Sequence, residues 1–178
     1  MPGSRRLSQR ITEGDGIAVI VRVGDLASAR SAEDAGAKAL AVERPIEGLR
    51  AQTGLPLLWL GAGVPVDVDA VVIAPDGYET DGLETVVEVA DEDEIETVLE
   101  ELDPEIFLLC ARDEDEGENP LEQVLELLPD VPAGKLAIAE ADIGTRDEAD
   151  ALERAGFDAV LVSAGHAAAV LGDGAHEA

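Results

Sequence analysis

The amino-acid sequence predicts a (β/α)8 TIM barrel of minimal size, its third and fourth helices reduced to loops, and three observations carry that prediction. First, residues 135–165, KLAIAEADIGTRDEADALERAGFDAVLVSAG, spell strand, helix, strand. LAIAEA is a short apolar run, Thr145-Arg-Asp-Glu148 is a capping box, Gly156 suits a left-handed helix end, and DAVLV is β-branched and too short for a helix. Second, EDAGAKALAV at 33–42 repeats the spacing of ERAGFDAVLV at 153–162, so one helix, glycine, strand unit recurs. Third, eight strand-like runs alternate with helices or short loops, which demands parallel pairing with crossovers. The length of 178 residues is short for this fold, which typically runs to about 250 residues. The competing architecture is an open doubly wound sheet of five or six strands, in which two of the weaker runs are loops.

In chain order, residues 17–23 (IAVIVRV) form the first strand and 25–35 the first helix, closed by Gly36. Strand two is 39–43, and Pro45 opens a short helix to about Thr53, because the first turn does not need its missing N–H. Strand three is 55–60. GAGVPVD then offers only a loop before strand four at 68–74, and PDGYETDG only a loop before strand five at 83–90. An acidic amphipathic helix covers 91–102, strand six 105–111 and a helix 119–128. The opening unit supplies strands seven and eight, and 166–171 a last turn of helix.

No Ser- or Pro-rich linker divides the chain, so residues 17–171 are expected to form one domain. Residues 1–16 and 172–178 are expected to be flexible ends. A formal net charge of -28 repels phosphates and anionic membrane surfaces, which argues against nucleic-acid and membrane partners. Such acidity fits a salt-rich cytoplasm or a biased genome equally well. The lone Cys110 excludes an internal disulfide and suits a reducing compartment. No apolar run approaches a membrane span and the N-terminus lacks a signal-peptide core, so a cytoplasmic protein is expected. Sheet edges and strands uncovered by the missing helices point to a homodimer.

In a barrel of this kind ligands bind at the C-terminal ends of the strands. The polar residues that interrupt or end strands are Arg22, Glu43, Arg44, Glu88, Asp91, Arg112, Asp113, Glu140, Asp142 and Ser163. Glu88 and Glu140 stand out, since each sits among alanines and valines where an unpaired carboxylate is costly to bury. One reading makes them a general acid/base pair or electrostatic stabilisers. The other makes them partners of internal ion pairs with Arg22 or Arg112. Both stay open at this point. Cys110 in an apolar strand reads as packing rather than as a nucleophile. No histidine pair or cysteine cluster shows ligand spacing, so no metal and no cofactor is expected. In the loops ADIGT and SAGHAA, Ser163, Gly165 and the amides of His166 and Ala167, with Arg146 nearby, form a candidate cradle for a phosphorylated small molecule. Against that cradle, Gly165 is explained by a turn alone, and Asp142 repels a phosphate held close to it.

VVEVADEDEIETV (86–98), PEIFLLCARDED (104–115) and LPDVPAGKLAIAEADIGTRDEADALERAGFDAVLVSAG (128–165) resemble strands five to eight of the indole-3-glycerol-phosphate synthase family, a group of tryptophan-pathway lyases. The likeness runs from about Leu83 to Leu171 and is faint before it. It implies a (β/α)8 barrel and closure of an indole ring with loss of carbon dioxide and water. Glu88 and Glu140 match the family's strand-five and strand-seven glutamates, which makes them the expected catalytic residues. The rest of the pattern departs. The first-strand glutamate and lysine fall on Val19 and Val21, with Arg22 beside them. The strand-three lysine, the family's proposed general acid, falls on Leu60 and the sixth-strand asparagine on Cys110. The serine after the strand-seven glutamate falls on Ala141, the phosphate-binding glycines on Asp142 and Ser163, and a further serine on Ala164. Lys38 and Lys135 precede strands two and seven, at the opposite end of the barrel. Arginine stays charged and is a poor proton donor, so the resemblance implies a lyase lineage with its ancestral activity weak or lost. Two alternatives are a non-catalytic binding or scaffold protein, and a different simple reaction on a phosphorylated small molecule.

Overall fold

A computed structural model describes residues 7–13, 16–61, 63–77, 82–111 and 119–171 of the chain. Its eight strands are β1 (Ala18–Arg22), β2 (Ala39–Val42), β3 (Leu57–Trp59), β4 (Ala70–Ile73), β5 (Glu84–Val89), β6 (Ile106–Cys110), β7 (Leu136–Glu140) and β8 (Ala159–Ser163). All pair in parallel, each with its neighbour in sequence, and β8 returns to β1 to close a (β/α)8 barrel. The open doubly wound alternative is excluded. Following the pairings from strand to strand brings the register back to β1 eight residues below where it began. With that shear, inward side chains of alternate strands lie level in rings of four.

The rings follow from the period of two along each strand. Ile20, Leu58, Val86 and Ile138 form the central ring, flanked by Ala39, Ala70, Ile106 and Ala159 below and Ala41, Val72, Leu108 and Leu161 above. The alternate residues, such as Val19, Val21, Leu40, Val87, Leu109 and Val160, point outward into a second cluster beneath the helices.

The helices are α1 (Leu7–Thr12), α2 (Leu26–Ala35), α3 (Leu49–Gln52), α4 (Glu92–Glu101), α5 (Pro120–Leu127), α6 (Arg146–Ala155) and α7 (Ala167–Leu171). Their ends obey local chemistry. Asp25, Asp91, Asn119 and Thr145 each accept a bond from a first-turn amide, and Gly36 and Gly156 close α2 and α6 at φ 112° and 118°. Glu148 turns back to the amide of Gly144 and the hydroxyl of Thr145, one residue earlier than a capping box requires.

Two expectations are corrected here. The helix expected from Pro45 begins only at Leu49, because Gly48 at φ 84° breaks the helical path before it. Residues 7–12, expected to lie within a flexible end, form α1. Leu7 and Ile11 are 0% and 4% exposed and pack into the interior cluster, so the helix plugs the N-terminal end of the barrel. Ser8 at its start bonds the Glu84 carboxylate through both its amide and its hydroxyl. Closure also leaves no sheet edge, and the outward side chains Leu57, Trp59 and Val71 are buried within the chain itself.

No helix lies between β3 and β4, or between β4 and β5, among the described residues. The first of these loops is pinned instead. Arg50 of α3 bonds Asp69 Oδ2 at 2.9 Å and the Asp67 carbonyl at 2.9 Å, and Asp69 Oδ2 accepts from the Leu57 amide. No helix among the described residues is long and apolar enough to cross a membrane.

Candidate functional site

Above the uppermost apolar ring the inward positions turn polar. Continued by the period of two, the next level on the odd-numbered strands holds Arg22, Glu88 and Glu140 with Leu60 directly after β3, and the level above it holds Cys110 and Ser163 with Glu43 and Ala74 directly after β2 and β4. Both glutamates therefore face the mouth of the barrel. Each stands two residues beyond an inward apolar residue, Glu88 after Val86 and Glu140 after Ile138.

Arg22 organises one side of the mouth. Its Nη2 donates to Glu140 Oε2 at 2.6 Å, and its Nε lies 3.7 Å from Glu43 Oε1. The Arg22 and Glu140 side chains are 41% and 31% exposed, so this ion pair is partly shielded from water. On the far side of Glu140, Cys110 Sγ lies 3.5 Å from Oε1, since Cys110 and Glu140 are direct partners across β6 and β7. Glu88 is exposed and makes no ion pair with a described residue. Burial first, and then the charges of Glu140 and Glu88, push the Cys110 thiol far above its ordinary value. A thiol held that way is a hydrogen-bond donor and not a nucleophile at neutral pH.

The two first-strand positions to which the resemblance assigned a glutamate and a lysine are corrected. Val19 and Val21 point outward, under the helices, so no group there reaches the mouth, and Arg22 is the residue of β1 that does. The phosphate cradle is not assembled as expected either. Ser163 reaches the mouth beside Arg22, its register partner on the adjacent strand, and Gly165 lies on the exposed rim beyond it. The His166 and Ala167 amides, however, bond the Ser163 and Ala164 carbonyls within the turn. Arg146 is turned to Asp150 at 3.0 Å and to the Val170 carbonyl. Arg112 and Asp113 lie outside the described residues.

Lys38 and Lys135 immediately precede β2 and β7, at the end of the barrel opposite the mouth. Lys135 Nζ is paired there with Asp103 at 2.8 Å. Among the described residues no group of three or more histidine, cysteine or acidic side chains is placed to hold a metal ion. The contact that sequence reasoning missed is Cys110 with Glu140. The available signal was parity: Cys110 sits two residues beyond Leu108, an inward position, and directly before the strand ends.

Three kinds of likeness bear on this site. The family model described as indole-3-glycerol phosphate synthase matches residues 77–168. An indole-3-glycerol phosphate synthase of Geobacillus sp. (strain WCH70) is 35% identical over 81 residues, which are 46% of this chain and 31% of that protein. One from Alkaliphilus metalliredigens (strain QYMF) is 33% identical over 84 residues, 47% of this chain and 32% of that one. The matched part thus spans less than a third of these relatives' length. Among solved structures, the N-acetylmannosamine-6-phosphate 2-epimerase from Clostridium perfringens superposes with a TM-score of 0.67 at 16% identity, covering 84% of this chain and 87% of that one. Thiamine phosphate pyrophosphorylase from Pyrococcus furiosus gives 0.64 at 18% identity, covering 87% and 90%. At such identities these two show the shared barrel alone.

Proposed function

Because the chain belongs to the indole-3-glycerol phosphate synthase family, we propose that it is a shortened barrel of that lineage in which the ancestral ring closure is weak or lost. The observation that carries this reading is the absence of a mobile proton donor of lysine type from the mouth. Both lysines of the chain precede strands at the other end, and the mouth-facing position directly after β3 is Leu60. Glu88 and Glu140 remain as the catalytic carboxylates, with Arg22 as the ligand-facing cation. General acid catalysis is worth roughly 10²–10⁴-fold, so turnover is expected to be lower by about that factor than in a member that keeps its lysine.

The test is indole-glycerol phosphate formation by purified protein at high enzyme concentration, in low and high salt. The comparison variants are Glu88→Gln and Leu60→Lys. The expected result is little or no turnover in the parent and a gain in Leu60→Lys that Glu88→Gln removes. Brisk turnover in the parent, abolished by Glu88→Gln, overturns the reading and means that another group supplies the proton.

A second reading is favoured by Glu88, which is exposed and makes no ion pair with a described residue. It is a simpler proton abstraction with Glu88 as base, on a substrate other than that of the family. It predicts that Glu88→Gln abolishes a turnover found by substrate screening while leaving thermal stability unchanged. A purely structural carboxylate would instead alter stability alone.

A further inference from the structure

Glu140 is held on both of its oxygens. Oε2 accepts from Arg22 Nη2 on β1, and Oε1 faces Cys110 Sγ on β6 at 3.5 Å. The Leu108 carbonyl is farther from the thiol at 4.0 Å and uncharged, a hydrogen bond to a charged acceptor is the stronger one, and of the two carboxylates that the thiol meets Glu140 acts on it more strongly than Glu88. We propose that Cys110 is a positioning residue: its thiol and the Arg22 guanidinium clamp the Glu140 carboxylate from two sides and leave Glu88 as the mouth carboxylate that moves and takes a proton. The proposal rests on the mouth being the functional site.

The surroundings support the assignment. Cys110 is 7% exposed, so its side chain has little room to turn away, and the register sets it directly opposite Glu140. It can donate only while protonated. Burial and the two flanking carboxylates keep it so through the range in which proteins work. Glu43, the third mouth carboxylate, is tied to Arg22 from the outer side. Glu88 lies across the mouth from Arg22, exposed, with no described cation in ion-pair contact. Two glutamates of identical chemistry thereby acquire different tasks, one held by a cation and the thiol together, the other touched by the thiol more weakly and left as the acid/base group.

Two readouts that need no turnover test this. The S–H stretching band of Cys110, followed by infrared spectroscopy, is expected at the low-frequency, hydrogen-bonded end in the parent. It should move clearly upward in Glu140→Gln and less in Glu88→Gln. No movement in Glu140→Gln, or an equal or larger one in Glu88→Gln, overturns the clamp. Side-chain couplings of Glu140 by NMR are expected to show one rotamer in the parent and in Cys110→Ser, and averaging in Cys110→Ala. A Cys110→Ala protein whose Glu140 is as ordered as the parent's also overturns it. Neither readout depends on the ring-closure assay, so a silent assay leaves the clamp standing, and a failed clamp leaves the assay result intact.

Discussion

At the level of single residues, carboxylates do different work at the two ends of the barrel. At the mouth they face one another and Arg22. At the N-terminal end they hold backbone amides: Glu153 accepts from Ile17, Asp69 from Leu57 and Asp158 from Ala137. These bonds fasten the first residues of strands where no helix cap reaches, which is the stabilising role expected of that face. Asp158 carries a cost with its bond. Burial raises its carboxyl above the ordinary value of 3.8, and the Ala137 amide offsets that only in part. The sign follows from linkage: a raised value in the folded state favours folding while the group is protonated, and that contribution is lost as pH rises through the folded-state value. Asp158→Asn keeps an acceptor for Ala137 and removes the charge. It is therefore expected to raise the melting temperature at pH 7 and to lose that advantage near pH 3. Equal melting temperatures for variant and parent at both pH values would show that the buried charge is harmless.

Among the elements, α1 has the largest consequence for its size. It is six residues long, too short to be stable by propensity, and it persists because Leu7 and Ile11 fill the lower end of the barrel. Ile11→Ala should cost about 2–3 kcal/mol by the usual scale for large-to-small changes in a core, at the lower end because the short helix can settle into the gap. Urea unfolding measures this, and a loss below about 0.5 kcal/mol would mean that the plug is dispensable. The segment's polar, arginine-containing composition hid it from sequence reasoning. Its two apolar residues are four apart, one helical turn, a pattern too brief to register. By contrast α2 and α6 were legible from end to end. Their caps and closing glycines are local chemistry, and the repeated glycine positions 36 and 156 both take the left-handed conformation that only glycine adopts without strain. The short α3 was misjudged for the same kind of reason. Gly48 after Glu47 ends one path and begins another, and Pro45 alone does not start a helix.

Across the whole molecule, charge sets the conditions under which the fold holds. The chain carries 40 acidic against 12 basic residues, and α4 has three acidic residues in its first turn and no basic residue in its last. Such a surface repels itself, and salt relieves the repulsion by shortening the screening length from about 10 Å at 0.1 M to about 3 Å at 1 M. The melting temperature is expected to rise between those sodium chloride concentrations. A flat or falling temperature would show that local ion pairs, such as those of Arg50 and Arg22, outweigh the net charge. The sequence by itself determined the order of strands and helices from β1 onward, the want of helices in the two middle crossovers among the described residues, the family likeness of the second half and the separation of both lysines from the mouth. All of these rest on local periodicity, on turn chemistry or on which residue precedes a strand. Tertiary structure alone decided that the sheet closes, that Glu88 and Glu140 face inward, that Arg22 and not its neighbour reaches the mouth, and that Cys110 meets Glu140. Those depend on the register between strands far apart in sequence, and a shift of one residue there turns every side chain to the opposite face.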